Sequence, residues 1–355
     1  MAELSNHASG CPAPAAAELR LPDRGVGCWA IGGPAENLGM AMGWSGISDE
    51  QVAEGLRAAF DNGARLFDTA DAYGLGHSEA QLGDFLRGVD RAEVLIADKV
   101  GYLHSVGEHG LDPRNIRHQF GESLKRLGTD YVDLYSFHHN NFGTGTEWLE
   151  PAAAQFRRLR ESGAVRLIGM RGPHRFAAER TSEPRSDKVA DFIRAFDIIR
   201  PDYVTVRHNL LTPIETGPAG SIVDYVTSRG AAVLTYKPLA QGLLLSARPR
   251  TYGAGDHRSR KAWFRSGNRA RFAPFLEALG GRFGTKTPDR VALALGYCQT
   301  TVPTSTTLIG FTDAGQAELN TTVSARCLDE EDLDFIACEV EKLRQALPSY
   351  FSDSD

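Results

Sequence analysis

The chain has 355 residues, of which 42% are hydrophobic and 24% charged, with a formal net charge of −6. These values suit a globular protein with a large core. The charges form no basic stripe, which argues against a nucleic-acid partner, and no apolar run reaches the ~18 residues of a membrane span. The five cysteines are odd in number and outside any CxxC pattern, which predicts a reduced compartment, by default the cytoplasm.

The first twenty residues are rich in Ala and Pro and lack the basic and apolar regions of a secretory signal. We therefore expect a disordered lead-in over residues 1–20, a folded domain over 21–345 and a flexible tail over 346–355. Near the end of the domain, CLDEEDLDFIACEVEKLRQAL predicts an amphipathic helix capped by Asp329.

One pattern recurs along the folded part: an amphipathic helix ends, a glycine follows, and an apolar strand begins. Glycine suits the left-handed position after a helix, and nearly continuous apolar strands are typical of strands buried on both faces. Eight strands are predicted, over residues 26–32, 64–70, 94–101, 131–138, 164–171, 203–209, 231–239 and 307–311. Between them lie helices such as NIRHQFGESLKRL, which Asp112 caps and Pro113 opens.

Eight strands that alternate with helices predict a single-domain α/β fold, a (β/α)8 or TIM barrel. A doubly wound open sheet is the alternative. The chain has no GxGxxG motif after the first strand and no GxxxxGK[ST] motif, so neither a Rossmann nor a P-loop nucleotide site is indicated.

Four polar residues are predicted at the carboxyl ends of the strands, where TIM barrels carry their chemistry: Asp68, Tyr73, Lys99 and His138. A tyrosine beside an ammonium can donate a proton, because the positive charge favours phenolate and lowers the phenol pKa. Asp68 would keep a buried Lys99 protonated, and His138 would hydrogen-bond the same substrate oxygen. Together they describe polarisation of a carbonyl, which still needs a hydride from a cofactor.

His138 and His139 are adjacent, which could suggest a metal site. Neighbouring strand residues face opposite sides, however, and no further ligands stand at a suitable spacing. We therefore predict no metal and interpret His139 and Asn140 as a pocket wall that binds substrate hydroxyls.

Seven stretches resemble the aldo-keto reductase family, in the same order, from about residue 26 to about residue 325. They are DTADAYGLGHSEAQLG, IADKVG, LKRLGTDYVDLYSFHH, GAVRLIGM, HNLL, LTYKPLAQGLL and LIGFTDAGQAELN. The resemblance implies a (β/α)8 barrel that binds a nicotinamide dinucleotide, usually NADPH, without a Rossmann domain. The family's catalytic tetrad falls on Asp68, Tyr73, Lys99 and His138, with Tyr73 as general acid, Lys99 and Asp68 tuning it, and His138 orienting the carbonyl.

The resemblance also implies the cofactor contacts. Backbone at Cys28 and Trp29 would meet the nicotinamide ribose, Tyr236 would stack on the nicotinamide, and Trp29 would wall the substrate beside Tyr73 and His138. The other cofactor-binding residues implied are Asp68, Lys237, Pro238, Leu239, Gln241, Gly242, Gly310, Gln316 and Asn320.

Three positions depart from the family pattern. Arg171-Gly172 replaces the Ser-Asn pair that binds the carboxamide, Thr205 replaces a glutamine with the same task, and Thr312 replaces the basic residue that commonly meets the 2′-phosphate. We expect the carboxamide contact to be rebuilt, with Arg171, Thr205 and Thr312 at the cofactor. NADP(H) is the expected cofactor, and NAD(H) is the alternative.

The predicted function is NAD(P)H-dependent reduction of an aldehyde or ketone, with a sugar-like or otherwise polar small molecule as substrate. Two alternatives are a redox-neutral epimerase or dehydratase-like enzyme with tightly bound NADP(H), and a non-catalytic subunit that senses NADPH. The basic segment 248–271 is predicted to be a flap that closes over the cofactor phosphates or an anionic substrate. The sequence does not predict an oligomeric state.

Overall fold

A computed structural model describes residues 19–173, 186–217 and 220–348 of the chain. Eight parallel strands close into a barrel in the order β1-β8-β7-β6-β5-β4-β3-β2, which confirms the predicted (β/α)8 fold. The strands are β1 (Arg24–Gly27), β2 (Leu66–Asp68), β3 (Leu95–Val100), β4 (Val132–Phe137), β5 (Val165–Arg171), β6 (Tyr203–Arg207), β7 (Ala232–Tyr236) and β8 (Thr306–Gly310).

Each of the eight predicted strands overlaps one observed strand, and the first differs most in its bounds. The prediction carries it to residue 32, whereas β1 ends at Gly27 and residues Ala30–Gly32 form a 3-10 turn. The reason is local, since Trp29 adopts helical backbone angles of φ −64° and ψ −45°. The strand therefore ends at the barrel mouth, five residues before its predicted end.

The described helices surround the barrel: α1 (Asp49–Asp61), α2 (His77–Leu86), α3 (Pro113–Leu127), α4 (Leu149–Glu161), α5 (Ser186–Ile199), α6 (Ile222–Thr227), α7 (Ser266–Ala270), α8 (Ala273–Phe283), α9 (Thr287–Thr301), α10 (Ala314–Thr322) and α11 (Glu330–Ala346). Asp112 caps α3 ahead of Pro113, and Asp329 caps α11, as predicted. None of these helices is both long and apolar enough to span a bilayer.

Apolar side chains pack close to both predicted ends of the domain. Leu19 and Leu21 pack against the apolar residues that close the barrel floor, and Leu347 is buried beyond the end of α11. The rest of the predicted lead-in (1–18) and tail (349–355) lies outside the described residues.

The barrel interior changes from apolar to polar along each strand. Its lower layer is apolar and consists of Leu66, Ala97, Leu134, Tyr203, Leu234 and Leu308. Side chains on a strand alternate between its two faces, so the next inward-facing residues lie two positions further on. From Leu66 and Ala97 this step leads to Asp68 and Lys99. The Tyr203 ring fits because position 169 is glycine, where a Cβ would lie 2.2 Å from Tyr203 Cζ.

A group of buried carboxyls lies on the outer side of the strands, under α2 and α3. Asp98, Asp71 and Glu79 are all inaccessible to solvent, and Arg126 pairs with Glu79 at 2.6 Å. Neither carboxylate oxygen of Asp98 or of Asp71 has a hydrogen-bond partner among the described residues. Burial, and then the neighbouring carboxylates, raise the pKa of Asp98 and of Asp71 well above the ordinary value of 3.8. The surroundings of Asp71 therefore favour its protonated form.

This group predicts a pH-dependent effect of Asp98→Asn. The folded state keeps the Asp98 proton while the unfolded state loses it above its ordinary pKa of 3.8, so the wild type loses stability as pH rises toward the folded pKa. We expect Asp98→Asn to raise the free energy of unfolding in urea at pH 8 by about 1 kcal/mol or more, and by less at pH 5.

Asp133→Asn is the matched control for that measurement. Asp133 is equally buried on the next strand, but Arg91 and Arg166 pair with it at 2.8 and 2.6 Å. Loss of this charge should destabilise the protein by roughly 3–5 kcal/mol at both pH values. A difference between Asp98→Asn and wild type that stays constant from pH 5 to pH 8 would contradict the protonated state.

Candidate active site

The four predicted catalytic residues come together at the barrel mouth. Lys99 Nζ donates to Asp68 Oδ2 at 2.7 Å and to the Thr69 carbonyl oxygen at 2.5 Å. The same ammonium lies 4.7 Å from the centroid of the Tyr73 ring. The His138 ring meets the Tyr73 ring edge-on, with centroids 5.4 Å apart. The barrel thus assembles the four residues from three neighbouring strands.

A strained turn fixes the position of Tyr73. The Tyr73 amide donates to the Ala70 carbonyl at 3.0 Å, and the next residue, Gly74, has φ +63°. A Cβ at Gly74 would lie 1.9 Å from the Gly32 carbonyl oxygen. Only glycine allows this approach, which presses the loop after β2 against the 3-10 turn after β1. The residues that follow, from His77, begin α2.

The electrostatics correct one expectation. Burial alone would lower the pKa of Lys99, but the Asp68 carboxylate more than compensates, and the pKa of the ammonium is raised. Burial has the largest effect on Tyr73 and raises its pKa to about 12, although Lys99 acts in the expected direction and lowers that pKa. The prediction of a lowered phenol pKa is therefore wrong for the protein without ligands, because desolvation of the phenolate exceeds the attraction of one ammonium.

The surroundings of His138 favour its neutral imidazole form. Burial, and then the positive charges of Lys99 and Arg171, lower its pKa well below 6.5. Its Nδ1 atom is buried without a hydrogen-bond partner in the described part of the chain. The ring also meets the Tyr102 ring edge-on, with centroids 4.7 Å apart. A neutral ring at this place can exchange a hydrogen bond with a substrate oxygen, but it does not carry the charge of a general acid.

Trp29 is the centre of an aromatic wall beside Tyr73. Its ring centroid lies 6.2 Å from that of Tyr73, 5.8 Å from that of Trp44 and 4.9 Å from that of His257. Trp29 Nε1 donates to the Met42 carbonyl at 2.8 Å, which fixes the ring. Sequence reasoning missed Trp44 and His257, since both stand in loops whose docking follows no local pattern. Only the basic character of segment 248–271 pointed toward this region.

Part of that segment, residues 252–264 (the strap), is docked on the loop after β1. Asp256 Oδ2 accepts hydrogen bonds from the backbone and side chain of Ser45, both at 2.8 Å. The Ala35 and Gly43 amides donate to the Gly255 carbonyl at 3.3 and 2.9 Å. These bonds attach the strap across the mouth.

Arg258 completes this attachment from the strap side. It pairs with Asp256 at 2.7 Å and places its guanidinium 3.6 Å from the centre of the Trp44 ring. Both charged residues are buried. The strap is therefore held by a buried ion pair as well as by hydrogen bonds.

The residues at the end of β4 and β5 share one corner of the mouth. Asn140 Nδ2 donates to the Arg171 carbonyl at 2.6 Å, while Asn140 Oδ1 is buried without a partner among the described residues. The Arg171 side chain donates to Tyr102 Oη at 3.3 Å, and its guanidinium lies 5.6 Å from the centre of the Tyr236 ring. Thr205 is buried beside Arg171 in the strand register.

His139 is less available than the sequence suggests. Its Nε2 pairs with the Gly101 carbonyl at 2.9 Å, and its Nδ1 accepts from the Asn141 amide at 3.2 Å. Both ring nitrogens are thus used inside the protein, so the substrate-binding role predicted for His139 has no free polar atom to carry it. In the described residues no group of three or more His, Cys, Asp or Glu side chains is arranged to hold a metal.

The segment after β7 forms a turn with unusual backbone angles. Lys237, Ala240 and Gln241 have φ values of +63°, +47° and +58°, and Gly242 follows at +88°. Asn209 Nδ2 donates to the Lys237 carbonyl at 2.9 Å, which supports the turn. Gln241 Nε2 is a buried donor without a partner in the described residues. Pro238 and Leu239 lie inside the turn.

Lys237 extends over the aromatic wall. Its Nζ lies 4.9 Å from the Trp29 ring centroid and 5.9 Å from that of Tyr236. Burial, and then the positive charges of Arg207 and Arg171, lower the pKa of Lys237 well below 10.5. No carboxylate among the described residues pairs with it, so this mouth favours an anionic group.

The residues predicted for the adenosine end are engaged with one another. Asn320 Nδ2 donates to the Gly310 carbonyl at 3.0 Å. Gln316 Oε1 accepts from the Thr312 amide, and Gln316 Nε2 donates to Asp313. Cys28 is fully buried, and burial raises its pKa. Its amide donates to the Asp68 carbonyl at 2.8 Å, and its own carbonyl accepts from Ser78 Oγ at 2.8 Å. The Cys28 amide is therefore not free to donate to a ligand.

The profile of the Aldo/keto reductase family matches residues 25–338. An Escherichia coli protein named NADH-specific methylglyoxal reductase is 27% identical and covers 73% of this chain and 76% of its own. The L-galactose dehydrogenase of Arabidopsis thaliana is 26% identical over 92% of this chain and 95% of its own. An aldo-keto reductase of Mycobacterium marinum is 31% identical over 70% of this chain and 75% of its own.

Solved structures share the fold. A glycerol dehydrogenase of Gluconobacter oxydans superposes with a TM-score of 0.67 at 23% identity, covering 92% of this chain and 93% of that one. An aldo-keto reductase from Bacillus halodurans in its holo form superposes with a TM-score of 0.64 at 22% identity, covering 92% of this chain and 94% of that one. At these identities the likeness supports the barrel architecture.

The strap predicts a local effect of Asp256→Ala. The substitution removes both Ser45 bonds and leaves the Arg258 charge buried without its partner. We expect trypsin cleavage at Arg258, Arg260 or Lys261 to become at least about tenfold faster, because local opening becomes easier. Mass spectrometry of the fragments measures this rate.

Asp112→Ala is the control, since Asp112 makes the same contact with an arginine two residues later, at 2.7 Å, but caps α3. It should lower overall stability without selective cleavage of the strap. Equal cleavage of the strap in both variants would contradict its attachment through Asp256.

Proposed function

The chain belongs to the aldo/keto reductase family and is an oxidoreductase, and we propose that it reduces the carbonyl of a polar aldehyde or ketone with a nicotinamide dinucleotide. The observation that carries the proposal is Tyr73 held over the buried Lys99–Asp68 pair, with neutral His138 edge-on beside it. This arrangement can supply a proton to an oxygen at the barrel mouth.

Tyr73 is the proposed general acid. When bound, a reduced nicotinamide supplies the hydride that the carbonyl carbon takes up, and the Tyr73 hydroxyl transfers its proton to the carbonyl oxygen. The Lys99 ammonium stabilises the phenolate that this transfer leaves, and Asp68 keeps Lys99 charged. His138 orients the oxygen by a hydrogen bond, since its imidazole is uncharged. Solvent returns a proton to Tyr73 after the alcohol forms.

A polar substrate fits the walls of the mouth. Arg171 brings positive charge near Tyr73, and Lys237 brings positive charge near His138. Relatives carry names that refer to methylglyoxal, L-galactose and D-threo-aldose, which are small and polar. We propose that the carbonyl compound bears hydroxyl or anionic groups beside its reacting carbon.

The residues present fit a dinucleotide. The turn over residues 237–242 has left-handed backbone angles at four positions and carries the Lys237 side chain, a cationic group that suits a pyrophosphate. Gln241 offers a further unpaired donor. We propose that Lys237 and this turn hold the pyrophosphate, that Tyr236 stacks on the nicotinamide, and that the strap covers the phosphates.

The carboxamide of the nicotinamide needs an acceptor and a donor. Asn140 Oδ1 is a buried acceptor without a partner among the described residues, and the Arg171 backbone holds the amide in place. We propose that Asn140 and Arg171, beside Thr205, take over this contact. Thr312 brings no positive charge to the adenosine end, and one relative is named as NADH-specific, so both NADPH and NADH should be assayed.

A redox-neutral epimerase or dehydratase is the second candidate. It is motivated by Arg171, which lies near Tyr236 where the nicotinamide would stack. Such an enzyme would copurify with its cofactor and convert substrate without consuming it. A subunit that senses NADPH would bind the cofactor and convert nothing.

The decisive variant is Tyr73→Phe, assayed with NADPH or NADH and a panel of polar aldehydes and ketones. We expect the loss of reduced-cofactor absorbance to slow by roughly 10²–10⁴-fold, because the phenol proton is gone while the ring and the cofactor site stay. Cofactor binding, followed by fluorescence titration, should be kept.

Tyr135→Phe controls for loss of a buried hydroxyl, because Tyr135 Oη lies on the outer face of the barrel without a partner among the described residues. This variant should keep wild-type turnover. Equal turnover in Tyr73→Phe and wild type would reject Tyr73 as the acid, and product formed without cofactor consumption would favour the redox-neutral enzyme.

A further inference from the structure

The exposed apolar side chains of the described residues are concentrated on the catalytic face. The large ones form a set that we call the apolar rim: Leu38 (88% exposed), Met40 (49%), Leu75 (48%), Val106 (37%) and Tyr102 (36%). All five lie on the loops that follow β1, β2 and β3, three neighbouring strands. Single exposed apolar residues are normal on a surface, whereas a group confined to one sector beside a site indicates binding.

Two of these residues stand where the backbone disfavours them. Leu38, at the tip of the hairpin Glu36–Ala41, has φ +50°, and Gly39 follows at +74°. Such a two-residue turn prefers Asn or Gly at its first position. Leu75 has φ +56°. A left-handed leucine costs roughly 1–2 kcal/mol, and the highly exposed Leu38 gains almost no burial in return, so the fold does not explain its apolar side chain.

One member of the apolar rim, Tyr102, contacts the residues proposed to be catalytic. Asn37 Nδ2 donates to the Tyr102 carbonyl at 3.1 Å, which joins the hairpin to the loop after β3. The Tyr102 ring then meets the His138 ring edge-on at 4.7 Å, and its hydroxyl accepts from Arg171 at 3.3 Å. Tyr102 thus belongs both to the outer surface and to the wall of the site. A ligand that reaches His138 from outside meets apolar surface first and charged groups last.

We propose that the apolar rim binds an alkyl or aryl extension of the substrate, so that the substrate class is amphipathic carbonyl compounds with a polar reacting end. This inference rests on the proposed reduction at Tyr73. The polar end meets Arg171 and His138 inside, and the extension lies on Leu38, Met40 and Leu75 outside. Each methylene that the rim removes from water should favour binding about fourfold when fully buried.

A matched substrate pair tests this proposal. Methylglyoxal and hexylglyoxal have the same reacting dicarbonyl and differ in the apolar extension. With wild type we expect kcat/KM to be at least about tenfold higher for hexylglyoxal, from two or more methylenes buried. Leu38→Asn should lower the ratio of the two kcat/KM values by about threefold or more. Its unfolding temperature should stay the same or rise, because Asn tolerates the left-handed turn.

Arg200→Asn is the matched control. Arg200 is an exposed residue at φ +52°, but it precedes β6 at the opposite end of the barrel, so the same relief of strain should leave the substrate ratio unchanged. Turnover of methylglyoxal with no gain from the hexyl chain overturns the inference and leaves the proposed reduction standing. No turnover of either compound by wild type counts against both.

Two further outcomes would also overturn the inference. A high ratio that Leu38→Asn leaves intact would place the extension elsewhere. A dimer in wild-type protein that dissociates in Leu38→Asn, seen by analytical ultracentrifugation, would assign the rim to a second copy of the chain.

Discussion

The buried ion pair of Lys99 and Asp68 is the constraint on which the site depends. Its two charges lie directly above an apolar layer that fills the barrel, and an unpaired charge there would cost several kcal/mol. The pair is stable because the two strands place Lys99 Nζ 2.7 Å from Asp68 Oδ2. The Thr69 carbonyl accepts a second hydrogen bond from the same ammonium. Lys99 then fixes the charge under the Tyr73 ring. Exchange of either residue would remove both the counter-charge and the environment of the phenol.

The fold and the proximity of four polar residues at the barrel mouth could be predicted, because their determinants are local and periodic. Glycines after helices and apolar strands gave all eight strands, and Asp68, Tyr73, Lys99 and His138 stand at their carboxyl ends. The phenol pKa could not be predicted, because it depends on how much desolvation Tyr73 suffers against one ammonium. Trp44 and His257 were missed since they reach the site through the docking of two loops, and no periodicity records that contact. The hydrogen bond between His139 Nε2 and the Gly101 carbonyl is likewise a tertiary contact that the local sequence does not indicate.

The mouth of the barrel has an ordered polarity. Neutral His138 and charged Arg171 lie at its inner wall, Lys237 lies over the Trp29 ring, and the exposed leucines lie outside. The strap joins this arrangement on one side through Asp256 and Ser45. Strain is concentrated in the same region, at Leu38, Leu75 and the turn from Lys237 to Gly242. Since such strain persists only where surrounding structure supports it, its location beside the site fits a binding role.

The pH dependence of the single-turnover reduction rate tests the central claim, that a buried, protonated Tyr73 beside a neutral His138 supplies the proton. Burial raises the pKa of Tyr73 to about 12 and lowers that of His138 well below 6.5. Both groups therefore keep their working forms across the neutral range, since Tyr73 loses its proton only at high pH and His138 gains one only at low pH. We therefore expect a flat rate from about pH 6.5 to about pH 9. A rate that falls with a midpoint between pH 7 and pH 9 would contradict this claim. It would mean that the Lys99 charge lowers the Tyr73 pKa more than burial raises it.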